Sequence, residues 1–268
     1  GGGLALLAGV LLLADVAGSA ELSVVLAAGD AIRADPRYPL ILVLVLGGAF
    51  SKSAQFPLHF WLPAAMAAPT PVSAYLHSAT LVKAGIYLIG RLHPALSGTD
   101  LWLVLVGGAG AVTLLTGSFI AMYRHDLKGL LAYSTISHLG LITLLFGLDR
   151  DLATVAAVFH IVNHAVFKAS LFMSAGIIEH ETGSRDLRRL GGLARLMPQT
   201  AALAIIAAAA MAGVPLLNGF LGKEMFLAEA VELGRGGGLG YLPPVLATLA
   251  SLFTVAYSAR FVHDAFFG

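Results

Sequence analysis

The strongest constraint in this sequence is a series of eight long apolar stretches separated by short polar connections. They run over residues 3–19, 39–66, 72–92, 101–122, 127–148, 152–178, 199–231 and 241–264. A helix needs about 20 apolar residues to cross the hydrocarbon core of a bilayer, and most of these stretches reach that length. We therefore predict an all-α membrane protein with about eight transmembrane helices.

The composition supports a helical bundle embedded in lipid. Hydrophobic residues make up 58% of the chain and charged residues 12%, which is too apolar for an ordinary soluble domain. No stretch alternates with a period of two, and glycine and alanine are frequent, so closely packed helices are favoured over a β-barrel. We expect residues 1–268 to form a single transmembrane bundle. The apolar start without a methionine is typical of a piece of a longer protein.

Two of the stretches contain residues that interrupt a helix. The first is broken near residues 51–57, which include Pro57, and the second near residues 213–219, which include Gly213 and Pro215. Irregular backbone at membrane depth survives only where protein or water surrounds it, and in transporters such breaks mark ion sites. An ordinary proline kink is the alternative interpretation.

Lysine and arginine are distributed differently along the chain. All eleven arginines lie in connections or near the ends of the apolar stretches, whereas four of the five lysines lie inside them: Lys52, Lys83, Lys168 and Lys223. A lysine at the bilayer centre costs about 2.5–3.5 kcal/mol on insertion scales, so a function is the default hypothesis. An ammonium group can release its proton when desolvated, whereas a guanidinium group effectively cannot. We interpret these lysines as proton stores, with snorkelling to the interface as the alternative for Lys52 and Lys223.

Histidines accompany the lysines. His160, His164 and Lys168 follow one another at a spacing of four, which places them on one stripe of a helix over about 12 Å. Because histidine titrates near neutral pH, such a stripe can relay protons. Two hydrogen-bonded core histidines, or a weak zinc site, are the alternatives. His77 joins the predicted relay, and Ser134, Ser137 and His138 are candidates for lining a water path.

Carboxylates are scarce at membrane depth. Glu224 is adjacent to Lys223, Glu229 follows a turn later, and Asp15 lies in the first stretch. A buried ammonium group needs an opposite charge within about 4–6 Å to stay protonated. Glu224 can serve one lysine, so we expect at least one further acid to lie outside this chain or in another subunit.

Other classes of function are disfavoured. The absence of cysteine excludes disulfides, thiolate metal sites and cysteine nucleophiles. A formal net charge of +1 without a basic run gives no nucleic-acid surface. No motif for flavin, an iron–sulfur cluster or nicotinamide is present, so no cofactor is predicted, and the identity of any metal stays open.

The motifs resemble the antiporter-like subunits shared by respiratory complex I and the Mrp antiporters. They are SKSAQFPLHFWLP (51–63), APTPVSA (68–74), LHSAT (76–80), DLK (126–128), LAYST (131–135), FH (159–160), NH (163–164) and FKA (167–169). Two more, HETGSRD (180–186) and NGFLGKE (218–224), resemble the A subunit of Mrp-type Na⁺/H⁺ antiporters.

The resemblance implies a core of fourteen helices in two inverted halves, of which this chain resembles the sixth to the thirteenth. It implies that Lys52 belongs to broken helix seven, where the family pairs a lysine with a glutamate on helix five. It likewise implies that Lys83 lies on helix eight, that His160, His164 and Lys168 form the relay of helix eleven, and that Lys223 lies on broken helix twelve.

Our first hypothesis is therefore a subunit of a multisubunit Na⁺/H⁺ antiporter in the cell membrane, a secondary transporter and not an enzyme. Its partners would be other membrane subunits, protons and Na⁺. The second hypothesis is a proton-pumping subunit of an NADH:quinone oxidoreductase or a membrane-bound hydrogenase. The third is a non-conducting structural subunit, which four lysines in apolar stretches disfavour.

Overall fold

A computed structural model describes residues 1–235 and 241–268. Nine principal helices follow one another in these ranges: α1 (Gly2–Ala17), α2 (Tyr38–Lys52), α3 (Thr70–Leu96), α4 (Asp100–Met122), α5 (Leu127–Gly147), α6 (Asp151–Thr182), α7 (Pro198–Ala212), α8 (Asn218–Gly234) and α9 (Leu242–Phe267). Short helical turns occupy the connections at Leu22–Ala27, Gly29–Ala34, Trp61–Ala64, Ala65–Ala67, Leu187–Arg189 and Leu193–Leu196. No strand occurs in the described residues.

The prediction of an all-helical membrane bundle is confirmed, and every predicted stretch contains a principal helix. In the described ranges, α3, α4, α5, α6 and α9 are long and apolar enough to cross a membrane. The apolar helices α1, α2 and α7 are shorter, at 16, 15 and 15 residues. Fifteen residues rise only about 23 Å against a hydrocarbon core of about 30 Å. The short lengths of α2 and α7 reflect the two breaks.

Both predicted breaks are present. Helix α2 ends at Lys52, and the chain becomes helical again only at Trp61. The break is joined to two neighbouring helices: Phe56 N donates to Thr113 Oγ1 of α4 at 2.9 Å, and Ser53 Oγ accepts from Ile86 N of α3 at 2.9 Å. The break is therefore anchored by neighbouring helices, as irregular backbone in a membrane requires.

The second break begins at Gly213, which has φ +84°, a left-handed conformation that favours glycine. Helix α7 ends just before it, and α8 begins at Asn218. A third irregularity was not predicted. Within α3, a wide π turn at Tyr75–Ala79 is followed by a tight 3-10 turn at Leu81–Lys83. Lys83, predicted to lie inside an apolar stretch, therefore lies at a distortion of its helix.

Helices α4 and α5 pack backbone against backbone. A Cβ atom added to Gly117 of α4 would lie 2.6 Å from Ser137 N, and one added to Gly140 of α5 would lie 2.8 Å from Gly110 O. Small residues allow this close approach between helices in lipid. Helix α5 is also the most enclosed of the five spanning helices, with 83% of its apolar window buried. Its polar residues therefore face protein and not lipid.

Helix α6 runs through the middle of the polar region. It packs against α3, α5, α7 and α8, and its 32 residues make it the longest helix in the described ranges. Its length corresponds to about 48 Å, so it spans hydrocarbon and both interfaces. The side chains of α6 are therefore placed to connect polar groups on four other helices.

Candidate functional site: a buried lysine and histidine chain

The predicted stripe on α6 faces the interior of the bundle. His160, His164 and Lys168 expose 1%, 0% and 0% of their surface. Their spacing of four residues sets them along one side of the helix, facing α5 and α8. Lipid is excluded from all three side chains, so any proton that reaches them must arrive through protein groups or water.

Helix α5 inserts a further histidine into this stripe. His138 Nδ1 lies 2.9 Å from His160 Nε2, and the two rings stack with centroids 5.2 Å apart. On the other side of His138, Tyr257 OH of α9 lies 3.3 Å from Nε2. His138, predicted only as a water-path residue, is thus a hydrogen-bonded member of the cluster, and Tyr257 was not predicted. Neutral imidazole both donates and accepts, so this row can hold a proton at alternative nitrogen atoms.

Lys168 is held by the backbone and a hydroxyl group of α5. Its Nζ donates to Ser134 Oγ and to Leu131 O, the latter at 3.3 Å. Within residues 1–235 and 241–268, no carboxylate forms an ion pair with Lys168. Hydroxyl and carbonyl oxygens can accept hydrogen bonds from an ammonium and from a neutral amine alike, so these contacts do not fix Lys168 in one protonation state.

Lys83 and His77 are placed by the distortion in α3. Lys83 Nζ donates to Ser78 O, a carbonyl of the π turn. His77 is buried with its ring centroid 6.2 Å from that of Phe172 on α6. The distorted segment of α3 thus places His77 against α6 and joins Lys83 to the backbone of the π turn.

Lys223 contacts the end of a helix, and Glu224 does not pair with it. Lys223 Nζ donates to Ala212 O at 2.7 Å, the last carbonyl of α7 before the break. The partial negative charge at a helix C-terminus stabilises an ammonium group. Glu224 is exposed and lines the same cavity of about 630 Å³. Adjacent residues of a helix point in different directions, which explains why the expected pair is not formed.

Two asparagines join α6 to the start of α8, the helix that carries Lys223. Asn163 Nδ2 of α6 donates to Asn218 O at 3.1 Å, and Asn218 Nδ2 donates to Asn163 Oδ1 at 3.2 Å. Gly222, next to Lys223, faces His160: a Cβ atom there would lie 3.0 Å from His160 Nδ1. The start of α8 is therefore fixed against α6 at the level of the histidine cluster.

Two predicted residues occupy unexpected surroundings. Lys52, expected to be buried, is exposed at the end of α2. The expectation of burial was wrong because the last residue of α2 points off the packed face of that helix. Ser137 is buried where Gly117 of α4 approaches its backbone, in the close contact between α4 and α5.

An ion pair between a buried lysine and a half-buried glutamate, which sequence reasoning missed, lies at one end of α6. Lys128 Nζ is 2.8 Å from Glu179 Oε2, and Thr70 Oγ1 donates to the same oxygen at 2.9 Å. Lys128 was not among the candidate residues, and the sixth apolar stretch was predicted to end at residue 178, before Glu179, whereas α6 continues to Thr182. Glu179 lies eleven residues after Lys168, about three helical turns, so the stripe on α6 could have revealed it.

A second missed pair joins Arg150 Nε to Glu229 Oε2 at 2.8 Å. The Glu229 side chain is 3% exposed, so this carboxylate is committed to an arginine. Arginine stays protonated under all ordinary conditions. The pair is therefore a fixed structural charge and not a proton carrier.

The connection after α6 contains a further pair of opposite charges. A hydrogen bond from Arg188 lowers the pKa of Asp186 to about 2, so that Asp186 is ionised at neutral pH.

The buried site consists of lysine and histidine side chains, each of which can bind a proton. Lys83, Lys168 and Lys223 all contact carbonyl or hydroxyl oxygens, and the ring centroids of His138, His160 and His164 lie 5.2–6.5 Å from one another. Among residues 1–235 and 241–268, no three histidine, aspartate or glutamate side chains have the spacing of a metal site.

The chain is similar to proteins of membrane transport. The family described as "NADH:quinone oxidoreductase/Mrp antiporter, TM" matches residues 2–242. The A/B subunit of a probable K⁺/H⁺ antiporter from Rhizobium meliloti is 64% identical over 267 residues, covering 100% of this chain and 27% of the relative. The A subunit of an Na⁺/H⁺ antiporter from Alkalihalophilus pseudofirmus is 50% identical, covering 96% of this chain and 34% of the relative.

Two solved structures have the same fold. A chain of the Mrp complex from Dietzia sp. DQ12-45-1b superposes with a TM-score of 0.91 at 46% identity, covering 97% of this chain and 29% of its own length. A chain of an archaeal membrane-bound sulfane sulfur reductase gives a TM-score of 0.85 at 28% identity, covering 99% and 54%. The chain thus spans about a quarter to a third of the length of the two antiporter relatives.

Proposed function

Because the chain belongs to the NADH:quinone oxidoreductase/Mrp antiporter transmembrane family, we propose that it forms part of the proton path of a multisubunit monovalent cation/proton antiporter. Residues 1–268 would be one bundle within a larger translocation domain, assembled with other membrane subunits. The observation that carries the proposal is the hydrogen bond between His138 of α5 and His160 of α6. The same two helices meet at Lys168 of α6, which donates to Ser134 of α5.

In this proposal, protons move along the buried groups from one lysine to the next. A proton on Lys168 passes to His164, and through the His138 and His160 pair toward Lys223. Each transfer changes the charge near the next group, and interacting titratable groups share their protonation steps. Movement of a proton at one end therefore changes proton affinity at the other, which is the coupling that an antiporter requires.

The exchanged cation is Na⁺ or K⁺. The motifs of residues 180–186 and 218–224 favour Na⁺, the cation expected from the sequence. The 64% identity to a relative named as part of a probable K⁺/H⁺ antiporter supports K⁺ as the second candidate. Both ions are therefore included in the test.

The test uses the full-length protein in complex with its partner subunits in proteoliposomes. An imposed Na⁺ or K⁺ gradient should acidify or alkalinise the lumen, as reported by a trapped pH dye, without any electron donor. Lys168→Ala should abolish this flux, whereas Arg189→Gln in the exposed connection should leave it unchanged. Full flux in Lys168→Ala would contradict the assignment of the path.

A redox-driven pump is the second candidate function, favoured by the similarity to a chain of the sulfane sulfur reductase. In such a complex, the same bundle would move protons only while electron transfer proceeds in other subunits. The two candidates differ in one measurement. Cation-dependent proton flux in the absence of a reductant supports the antiporter, and flux that requires a reductant supports the pump.

A further inference from the structure

Helix α9 contributes a buried tyrosine to the interior of the bundle at the level of the histidines. Tyr257 is fully buried, and its hydroxyl group lies 3.3 Å from His138 Nε2. The two residues are 119 positions apart in the chain, so only helix packing brings them together. The proton path proposed above gives no part to this tyrosine.

The neighbouring hydroxyl groups of α9 are occupied within their own helix. Thr254 Oγ1 donates to Ala250 O at 2.8 Å, and Ser258 Oγ donates to Thr254 O at 2.6 Å. A hydroxyl group has one hydrogen to donate, so neither of these groups can donate to His138 at the same time. Tyr257 is thus the hydroxyl group in this turn of α9 that reaches another helix.

His138 uses both of its ring nitrogens. Its Nε2 contacts Tyr257 OH, and its Nδ1 lies 2.9 Å from His160 Nε2. A neutral imidazole carries hydrogen on one nitrogen and accepts a hydrogen bond at the other. The two contacts are therefore linked: if one nitrogen of His138 accepts, the other must donate.

The polarity of this row follows from the chemistry of its members. A phenol is a more acidic donor than a neutral imidazole N–H, and an imidazole nitrogen is a more basic acceptor than a phenol oxygen. A donating Tyr257 hydroxyl group leaves the hydrogen of neutral His138 on Nδ1, where it points to His160. His160 then accepts at Nε2 and carries its own hydrogen on Nδ1.

His160 Nδ1 faces the helix that carries Lys223. A Cβ atom added to Gly222 of α8 would lie 3.0 Å from this nitrogen. No group among residues 1–235 and 241–268 forms a hydrogen bond with it. A hydrogen on His160 Nδ1 is therefore not held by a protein acceptor, and it lies at the end of the row that is closest to α8.

We propose that Tyr257 is a positioning residue that holds the His138 and His160 pair in one tautomer, with the hydrogen of each neutral ring on Nδ1. The inference rests on the proposed function and adds the group that gives the pair a direction. The hydrogens of the row all point from α9 toward α8, so that the pair releases its proton on the side of Lys223. Without the phenol, both tautomers become accessible, and in the opposite one His160 Nδ1 carries no hydrogen to release.

The variant that tests this role is Tyr257→Phe, which removes the hydroxyl group and keeps the ring. In proteoliposomes that contain the complete complex, cation-driven proton flux should fall about twofold to tenfold, the change in tautomer population expected from the loss of one hydrogen bond. Tyr87→Phe, on the exposed surface of α3, is the matched control and should leave the flux unchanged. Incorporation of 4-aminophenylalanine at position 257, whose amino group can donate, should restore most of the flux.

A spectroscopic measurement is independent of transport. In the purified complex labelled with nitrogen-15 histidine, NMR spectra distinguish a ring nitrogen that carries hydrogen from one that does not, and His138→Gln identifies the signals of His138 by their loss. The wild type should show hydrogen on His138 Nδ1. Tyr257→Phe should show a mixture of both tautomers, whereas Tyr87→Phe should keep the wild-type spectrum.

Two results would overturn the proposal: hydrogen on His138 Nε2 in the wild type, or an unchanged tautomer in a folded Tyr257→Phe complex. Full flux in Tyr257→Phe would equally exclude the role in transport. Absence of cation-driven flux in the wild type would instead refute the proposed function, and the NMR spectra would still decide whether Tyr257 sets the tautomer.

Discussion

Replacement of Lys168 by methionine should reduce proton transport far more than it reduces the stability of the protein. Methionine has a similar length but cannot carry a proton. A lysine at the bilayer centre costs about 2.5–3.5 kcal/mol on insertion scales. Lys168 offsets this cost with two hydrogen bonds, to Ser134 Oγ and Leu131 O. A hydrogen bond that involves a charged group contributes about 1.5–3 kcal/mol.

The net change in stability should therefore be small. The two opposing contributions nearly cancel, so Lys168→Met should lower the free energy of unfolding by between about 0 and 3 kcal/mol. Ser134 keeps a partner, because its hydroxyl also donates to Leu131 O at 3.0 Å. In contrast, proton flux should fall by at least about 100-fold, the lower bound for loss of a positioned proton-transfer group.

The assay pairs two measurements on the same preparation of the complete complex. Thermal unfolding reports stability, and a trapped pH dye in proteoliposomes reports flux. Ser134→Ala is the control, since it removes one hydrogen bond but keeps the ammonium group, and it should retain most of the flux. A Lys168→Met complex that is folded and still transports protons within tenfold of the wild type would refute the assignment of Lys168 as a carrier.

The remaining predictions concern packing and the two helix breaks. Gly140→Val should destabilise the chain by about 1–3 kcal/mol, because the valine side chain would enter the contact between α4 and α5. Gly108→Val, on the open surface of α4, is the control. Equal unfolding temperatures for the two variants would contradict the packing argument. Gly213→Ala should lower the free energy of unfolding by about 1–2 kcal/mol, because position 213 has a left-handed φ. It should also slow proton flux, because the added Cβ would lie 2.6 Å from Lys223 Cδ. Unchanged flux would argue against that position of the lysine. Lys52→Ala should leave stability unchanged, as expected for an exposed residue, but should abolish flux if Lys52 takes part in the relay, as the resemblance implies.

Local spacing was sufficient for much of the fold and part of the site. The eight apolar stretches predicted the helices, because the length of an apolar run must match the thickness of the hydrocarbon. Glycine and proline located both breaks. The interval of four between His160, His164 and Lys168 was enough to place them on one buried stripe, since helix geometry alone determines that relation.

Three features of the site depended on contacts between different helices. Sequence spacing gave no sign that His138 and Tyr257 meet at the end of the histidine row. It also paired Lys223 with its neighbour Glu224, whereas the partner is the carbonyl end of another helix. The exposure of Lys52 likewise depends on which face of α2 is covered.

The sequence by itself thus determined which residues are helical, where helices are interrupted, and which polar groups share one side of α6. Only the tertiary structure decided which groups meet across helices, such as Lys128 with Glu179, 51 positions apart in the chain. The physical reason is that neighbours within a helix follow from a fixed rise and rotation per residue. Neighbours on different helices depend on how far the helices slide and rotate against each other, which close contacts such as Gly117 against Ser137 determine.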